Sequence, residues 1–232
     1  MAAGRQEEIY YNKSMEYIQN RTNWCWAVAC KVVGERYRRN NNEGFHSFNQ
    51  GNKKICRNIR KKYGGITATD CMEGLRLETV KNTDGIYYVD GWQKAIVMHA
   101  NSMHKGVDGN FPGDDMAKLQ GLNFVVTGEC KSSLVQTVSL GTYDSEYSIL
   151  YYYHNQLKNV FKKKNFLIGN AVLYPKMICH SFILLEWGQD DKIAVYDPWD
   201  GCVAKHTVQD LFFKGFPSAQ GAGIIKWVQY IV

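Results

Sequence analysis

Cys179-His-Ser-Phe-Ile-Leu-Leu-Glu-Trp-Gly-Gln-Asp-Asp-Lys-Ile-Ala-Val-Tyr-Asp197 holds two apolar runs on either side of Gly188-Gln-Asp-Asp191. Apolar, β-branched and aromatic residues bounded by a Gly/Asp cluster read as a β-hairpin. His180 opens the first strand and Asp197 closes the second. Side chains alternate between faces along a strand, so the register decides whether these two groups meet. A two-residue loop puts 180 opposite 197, and a four-residue loop puts 182 opposite 197. Either leaves His180 and Asp197 on one face, roughly 5–8 Å apart at Cβ. A three-residue loop sends them to opposite faces. The hairpin is apolar on both faces, so its pattern selects neither register.

Around this hairpin the second half of the chain is strand-like. Phe166–Leu173 and Gly223–Val232 are further apolar runs. Asp144–Lys164 reads as a helix, capped by Ser145, with its lysines at the end the dipole favours. The first half reads as mainly helical. Trp26, Ala29, Cys30, Val33 and Tyr37 form the stripe of a helix with one buried face, capped by Thr22 or Asn23. A basic helix is expected over 46–63 and a third from Thr67 to about Leu77. Residues 1–18 read as an arm on the body. Between 80 and 130 the pattern is weak. Ile86–Val89 and Asn123–Thr127 are expected strands, Gly91–His99 is either strand or helix, and Lys105–Asp115 is a Gly/Asp loop. The expected fold is α+β in one domain of two lobes, a helical lobe over about 1–80 and a β-rich lobe over about 131–232, with a variable insertion over about 80–130.

The chain has 232 residues, 45% hydrophobic and 22% charged, ordinary globular composition. No run approaches the ~20 apolar residues of a membrane span. Met1-Ala-Ala-Gly-Arg-Gln-Glu-Glu has no apolar stretch behind a basic start, so no signal peptide is read there. The expected location is cytoplasmic, or one reached by a secretion route that uses no signal peptide. The seven cysteines are odd in number and lack a CxxC pair, so free thiols are expected. The charge of +6 gathers at Arg36/Arg38/Arg39, Lys53–Lys62 and Lys162–Lys164. Solvated faces account for these, an acidic partner is the sharper reading, and no nucleic-acid motif accompanies them.

Gln19-Asn-Arg-Thr-Asn-Trp-Cys25-Trp places a thiol where a polar turn becomes a helix. A cysteine at a helix N-terminus sees the positive end of the macrodipole, which favours the nucleophilic thiolate. An imidazole held by a third polar group is what such a thiol needs. Gln19, six positions earlier, is a side-chain amide able to donate beside the Cys25 backbone N–H, and two such donors form an oxyanion hole.

Gln19-x5-Cys25-Trp26, then His180 leading an apolar strand, then Asp197-Pro-x-x-Gly201 after a second strand, resembles the papain-like cysteine peptidases. It is most similar to their compact bacterial branch, the bacteriocin-type leader peptidases and related effector peptidases. Thr22-Asn-Trp-Cys25 stands where plant papains carry Cys-Gly-Ser-Cys, and Asp197 stands where they carry asparagine. The resemblance implies Cys25 as nucleophile, His180 as general base and acid, Asp197 as orienting acid and Gln19 as oxyanion donor. It implies a peptide or protein substrate, and no metal or cofactor. The tryptophans read mostly as core, but Trp24 and Trp199 flank the proposed site residues and, with Trp26, are the candidates to bind substrate. Leader peptidases of this group usually precede a transporter; none follows here, so a free-standing enzyme is expected.

Other readings stay open. Cys25 alone is a small buried hydrophobe. Asp200 rivals Asp197 as the acid. Cys179, His180, Cys202 and His206 have the donor types of a zinc site, although neighbours on a strand point to opposite faces. An acyltransferase or deamidase of transglutaminase type uses the same triad, and a non-catalytic binding module retains the fold without the chemistry.

Overall fold

The computed structural model describes residues 18–19, 23–40, 77–82, 85–90, 93, 96–97, 113–127, 135–139, 154–155, 157–162 and 166–231. They fall into two compact units, one ending at residue 127 and one beginning at residue 135. The N-terminal arm apart from Ile18, and the 46–63 helix, lie outside the described residues, as does the 67–77 helix apart from Leu77, which begins a strand.

The first unit is largely helical. Helix α1 spans Cys25–Asn40. The Trp24 carbonyl accepts the N–H groups of Ala27 and Val28 at 3.0 and 3.1 Å, which makes Trp24 the cap position and Cys25 the first helical residue. The stripe underestimated the burial: Trp24 to Cys30 and Val32–Val33 are all buried, and Lys31 is buried between them. Strands β1 (Leu77–Asn82) and β2 (Gly85–Asp90) form an antiparallel hairpin. Residues 93, 96 and 97 are helical and buried.

Helix α2 spans Asp115–Thr127, where Asn123–Thr127 was expected to be a strand. Asp114 caps it: its Oδ1 accepts the Ala117 N–H at 2.7 Å. Leu122, Asn123, Phe124 and Val125 are consecutively buried, which removes the 3.6-residue period, and Val125-Val-Thr127 has strand propensity that packing overrides. The helix lies close on α1. A Cβ on Gly34 would meet Val125 Cγ1 at 2.6 Å, and one on Gly121 would meet Cys30 Sγ at 3.0 Å. Glycine at both points lets the backbones approach, so this part of the expected insertion is core of the helical unit.

The second unit is an antiparallel sheet of seven strands among the described residues. In chain order they are β3 (Val135–Ser139), β4 (Leu167–Tyr174), β5 (Ile178–Trp187), β6 (Lys192–Asp197), β7 (Cys202–Thr207), β8 (Phe216–Ser218) and β9 (Gly221–Ile231). Their spatial order is β3-β9-β4-β5-β6-β7, with β8 also on β9. The four expected strands are all present. β3, β7 and β8 went unread, β7 because Cys202-Val-Ala-Lys-His-Thr207 is mostly exposed and carries little apolar signal.

One face of this sheet carries Leu167, Ala171, Leu173, Phe182, Leu184, Ile193, Val195, Ile225 and Val228. Leu211 and Phe212 of a π-helical turn at Asp210–Lys214 pack on it, as does Leu157 from the helical residues 154–155 and 157–162. The π-turn is launched by a reciprocal cap. Thr207 Oγ donates to Asp210 Oδ2 at 2.6 Å while the Asp210 N–H donates to Thr207 Oγ at 3.1 Å.

The β5–β6 hairpin closes with a three-residue turn, the kind that should separate His180 from Asp197. The Gly188 N–H donates to the Lys192 carbonyl at 2.8 Å, the Asp191 N–H donates to the Gly188 carbonyl, and Asp191 takes φ 59°. Beside the turn Trp187 pairs with Ile193 and Glu186 with Ala194. Extended unchanged, that register would bring Ile183 opposite Asp197 and turn His180 to the other face. A β-bulge at Leu185 intervenes, and beyond it Leu184 pairs with Val195 and Ile183 with Tyr196. The pairing around the dyad is therefore the one a four-residue loop would give.

Candidate functional site

Because of the bulge, His180 and Asp197 share the face that carries Phe182 and Val195. His180 Nε2 and Asp197 Oδ1 are 2.7 Å apart. Both residues are buried, at 4% and 8% exposure. A carboxylate only accepts, so Nε2 carries the hydrogen and donates, which fixes the tautomer and leaves proton exchange to Nδ1. The same Oδ1 accepts the Trp199 N–H at 2.9 Å, and the Gly201 N–H donates to the Asp197 carbonyl at 2.9 Å. The turn after Asp197-Pro is thus folded around the carboxylate. Phe182 and the imidazole pack nearly perpendicular, with centroids 4.5 Å apart, so the ring is held by this contact as well as at Nε2.

The bond to His180 is made by Asp197, whereas Asp200 Oδ1 accepts the Cys202 N–H at 2.8 Å in the exposed turn. Cys179 is exposed while His180 is buried, as the two faces of a strand require, so a zinc site joining these neighbours does not form. Cys202 pairs directly with Asp197 across β6–β7 and is exposed. Burial, and then the charge of Asp197, push the Tyr196 phenol up, so it stays protonated behind the pair. On β7, burial holds His206 below the usual imidazole range, with Asp210 pulling the other way.

Cys25, Gln19, Trp24 and Trp26 belong to the helical unit. Cys25 is 5% exposed and opens α1, whose first turn holds no acidic residue to oppose a thiolate. Cys30, one and a half turns on, is a different kind of thiol. Its Sγ–H donates to the Lys118 carbonyl at 3.4 Å, and burial pushes its pKa well above the thiol range. Gln19 is buried, and its neighbour Ile18 is anchored by Gln93, whose Nε2 donates to the Ile18 carbonyl at 2.9 Å. Gln93 was missed in the sequence because a lone glutamine in an ambiguous segment carries no pattern.

Two tryptophans expected to bind substrate do not offer a surface. Trp26 is 0% exposed, and a Cβ on Gly113 would sit 2.5 Å from its ring, so the glycine backbone lies on the indole. Trp24 is buried too. Both are core residues that seat the start of α1. Trp199 is 37% exposed in the turn beside Asp197. The basic patch at Arg36/Arg38/Arg39 is not simply a solvated face either, since Arg38 is buried. Among the described residues no helix is long and apolar enough to cross a membrane. Set against known proteins, the chain matches no family model and no curated protein.

Proposed function

We propose that this chain is a papain-like cysteine peptidase whose nucleophile is Cys25. The buried 2.7 Å hydrogen bond between His180 and Asp197 carries the reading, because an imidazole fixed in one tautomer by a carboxylate is what a nucleophilic thiol requires. Cys25 at the first position of α1 supports it.

In the proposed reaction His180 holds the proton taken from Cys25. The thiolate adds to a peptide carbonyl, and the oxyanion is met by the Cys25 backbone N–H and the Gln19 side-chain amide. The C–N bond breaks as imidazolium Nδ1–H protonates the departing amine, leaving a thioester on Cys25. Water then attacks the thioester, His180 accepts its proton, and the carboxylic acid and the thiol are released. No metal or redox step is needed. The substrate is a peptide or protein: a ribosomal peptide precursor losing its leader, or a target protein cut by an effector. Trp199 is the exposed aromatic beside the pair that an incoming peptide would meet.

The test is incubation of the whole chain, and of Cys25→Ala, with a diverse peptide library, followed by mass spectrometry of the products. Peptidase activity gives cleaved pairs, each bond gaining water, that vanish in Cys25→Ala. Uncut peptides with glutamine converted to glutamate, or joined to an added amine, would replace hydrolysis with deamidation or acyl transfer. No Cys25-dependent product of any kind would leave a binding module.

A further inference from the structure

Behind the face that carries His180, three polar side chains form a chain across the three central strands. Ser181 Oγ–H donates to Asn170 Oδ1 at 2.9 Å, and Asn170 Nδ2–H donates to Gln229 Oε1 at 3.1 Å. Exposure is 2% at Ser181, 1% at Asn170 and 0% at Gln229. They link β5, β4 and β9 in the row next to His180, since Asn170 pairs with Ser181 and Ala171 pairs with His180.

We propose that this Ser181–Asn170–Gln229 network is a positioning device for His180. Buried hydrogen-bonded groups gain little over well-packed apolar ones of the same shape, so stability alone does not explain three in a row. Their place does. Between Asn170 and Ala171 the β4–β9 ladder slips by one residue, with Asn170 on Trp227 and Ala171 on Ile225. Backbone pairing is interrupted there, and a one-residue slip would turn side chains to the wrong face. The network pins β4 to both neighbours at that point through directional bonds that no apolar contact supplies. His180 is then held from two sides: Asp197 on β6 takes the ring, and the network on β4 fixes the backbone row from which the ring projects.

The consequence for catalysis rests on the peptidase reading; the positioning itself does not. The experiment uses the whole chain with 15N-labelled histidine, as wild type, Ser181→Ala, Ser181→Thr, and an apolar triple variant, Asn170→Leu with Ser181→Ala and Gln229→Met. Three quantities are read: the thermal midpoint, the NMR signature of the His180 Nε2–H···Asp197 bond, and the alkylation rate of Cys25. The triple variant should fold with a midpoint at or near wild type. Its bonded Nε2 proton should broaden or vanish, and Cys25 alkylation should fall about tenfold or more, as a small misplacement of a reacting group does. Ser181→Thr, which keeps the hydroxyl, should behave as wild type and Ser181→Ala should lie between. A folded apolar variant with an unchanged His180 signal would overturn the proposal. Should the triple variant not fold, Ser181→Ala decides by the same two outcomes. A changed His180 signal with unchanged Cys25 alkylation would keep the positioning and remove the peptidase reading.

Discussion

At the scale of the residue, Cys25 and Cys30 share one helix and have opposite chemistry. Cys25 opens α1, while Cys30 lies in the core against Gly121 and the Lys118 carbonyl. Burial raises the Cys30 pKa, so in the folded chain its thiol stays protonated after an unfolded one would have ionised. The unfolded state therefore binds fewer protons at high pH. This contribution to stability is complete below the unfolded thiol value, about 8.5, and is lost as pH rises above it. Urea unfolding should show stability falling from about pH 9 upward, with a shallower fall in Cys30→Ala. Equal slopes would mean that Cys30 does not titrate with unfolding. Tyr196, raised for the same reason, adds to the loss above about pH 10. Much of this contrast was legible beforehand, because the pattern puts Cys25 at the helix start and Cys30 on the buried stripe; the burial of Cys25 itself was not. His180 and Asp197 were legible as a candidate pair, since each sits at a strand end with a turn signal beside it.

At the scale of the element, the hairpin joins the right residues by an unforeseen route. Loop length alone left the register open, and the three-residue turn favours the wrong one. The bulge at Leu185 corrects it, and no periodicity announces a bulge in a strand that is apolar on both faces. Deleting Leu185 should straighten the ladder while keeping Leu184 on Val195, so the His180–Asp197 bond survives. Deleting Ala194 as well slips β6 by one residue and sends Asp197 to the far face. NMR of the His180 ring should show the bonded Nε2 proton in the first variant and not in the second; loss in both would contradict the register argument. Helix α2 teaches the complementary lesson. Its cap, Asp114, lies in a run that read only as a Gly/Asp loop, and the buried Leu122-Asn-Phe-Val125 imitated a strand. Asp114→Ala should lower the stability of the chain by about 1 kcal/mol, measured by urea unfolding, and an unchanged midpoint would deny the cap its role.

At the scale of the whole molecule, the α+β division into a helical N-terminal part and an antiparallel sheet was readable from the shift between 3.6-residue and strand-like patterning. The sheet's strand order was not, because β9 pairs with both β3 and β4 across about fifty residues of sequence or more. The proposed chemistry requires a coupling between the thiol of one unit and the imidazole of the other. That coupling is open to direct measurement. Iodoacetamide alkylation, followed at each cysteine by mass spectrometry against pH, should mark Cys25 fastest at and below neutral pH. His180→Ala should reduce that rate about a hundredfold or more, the lower end of what a positioned acid–base partner contributes, while leaving the exposed Cys179 and Cys202 unchanged. Cys25 reacting no faster than Cys179 and Cys202, or equally fast with and without His180, would contradict the account.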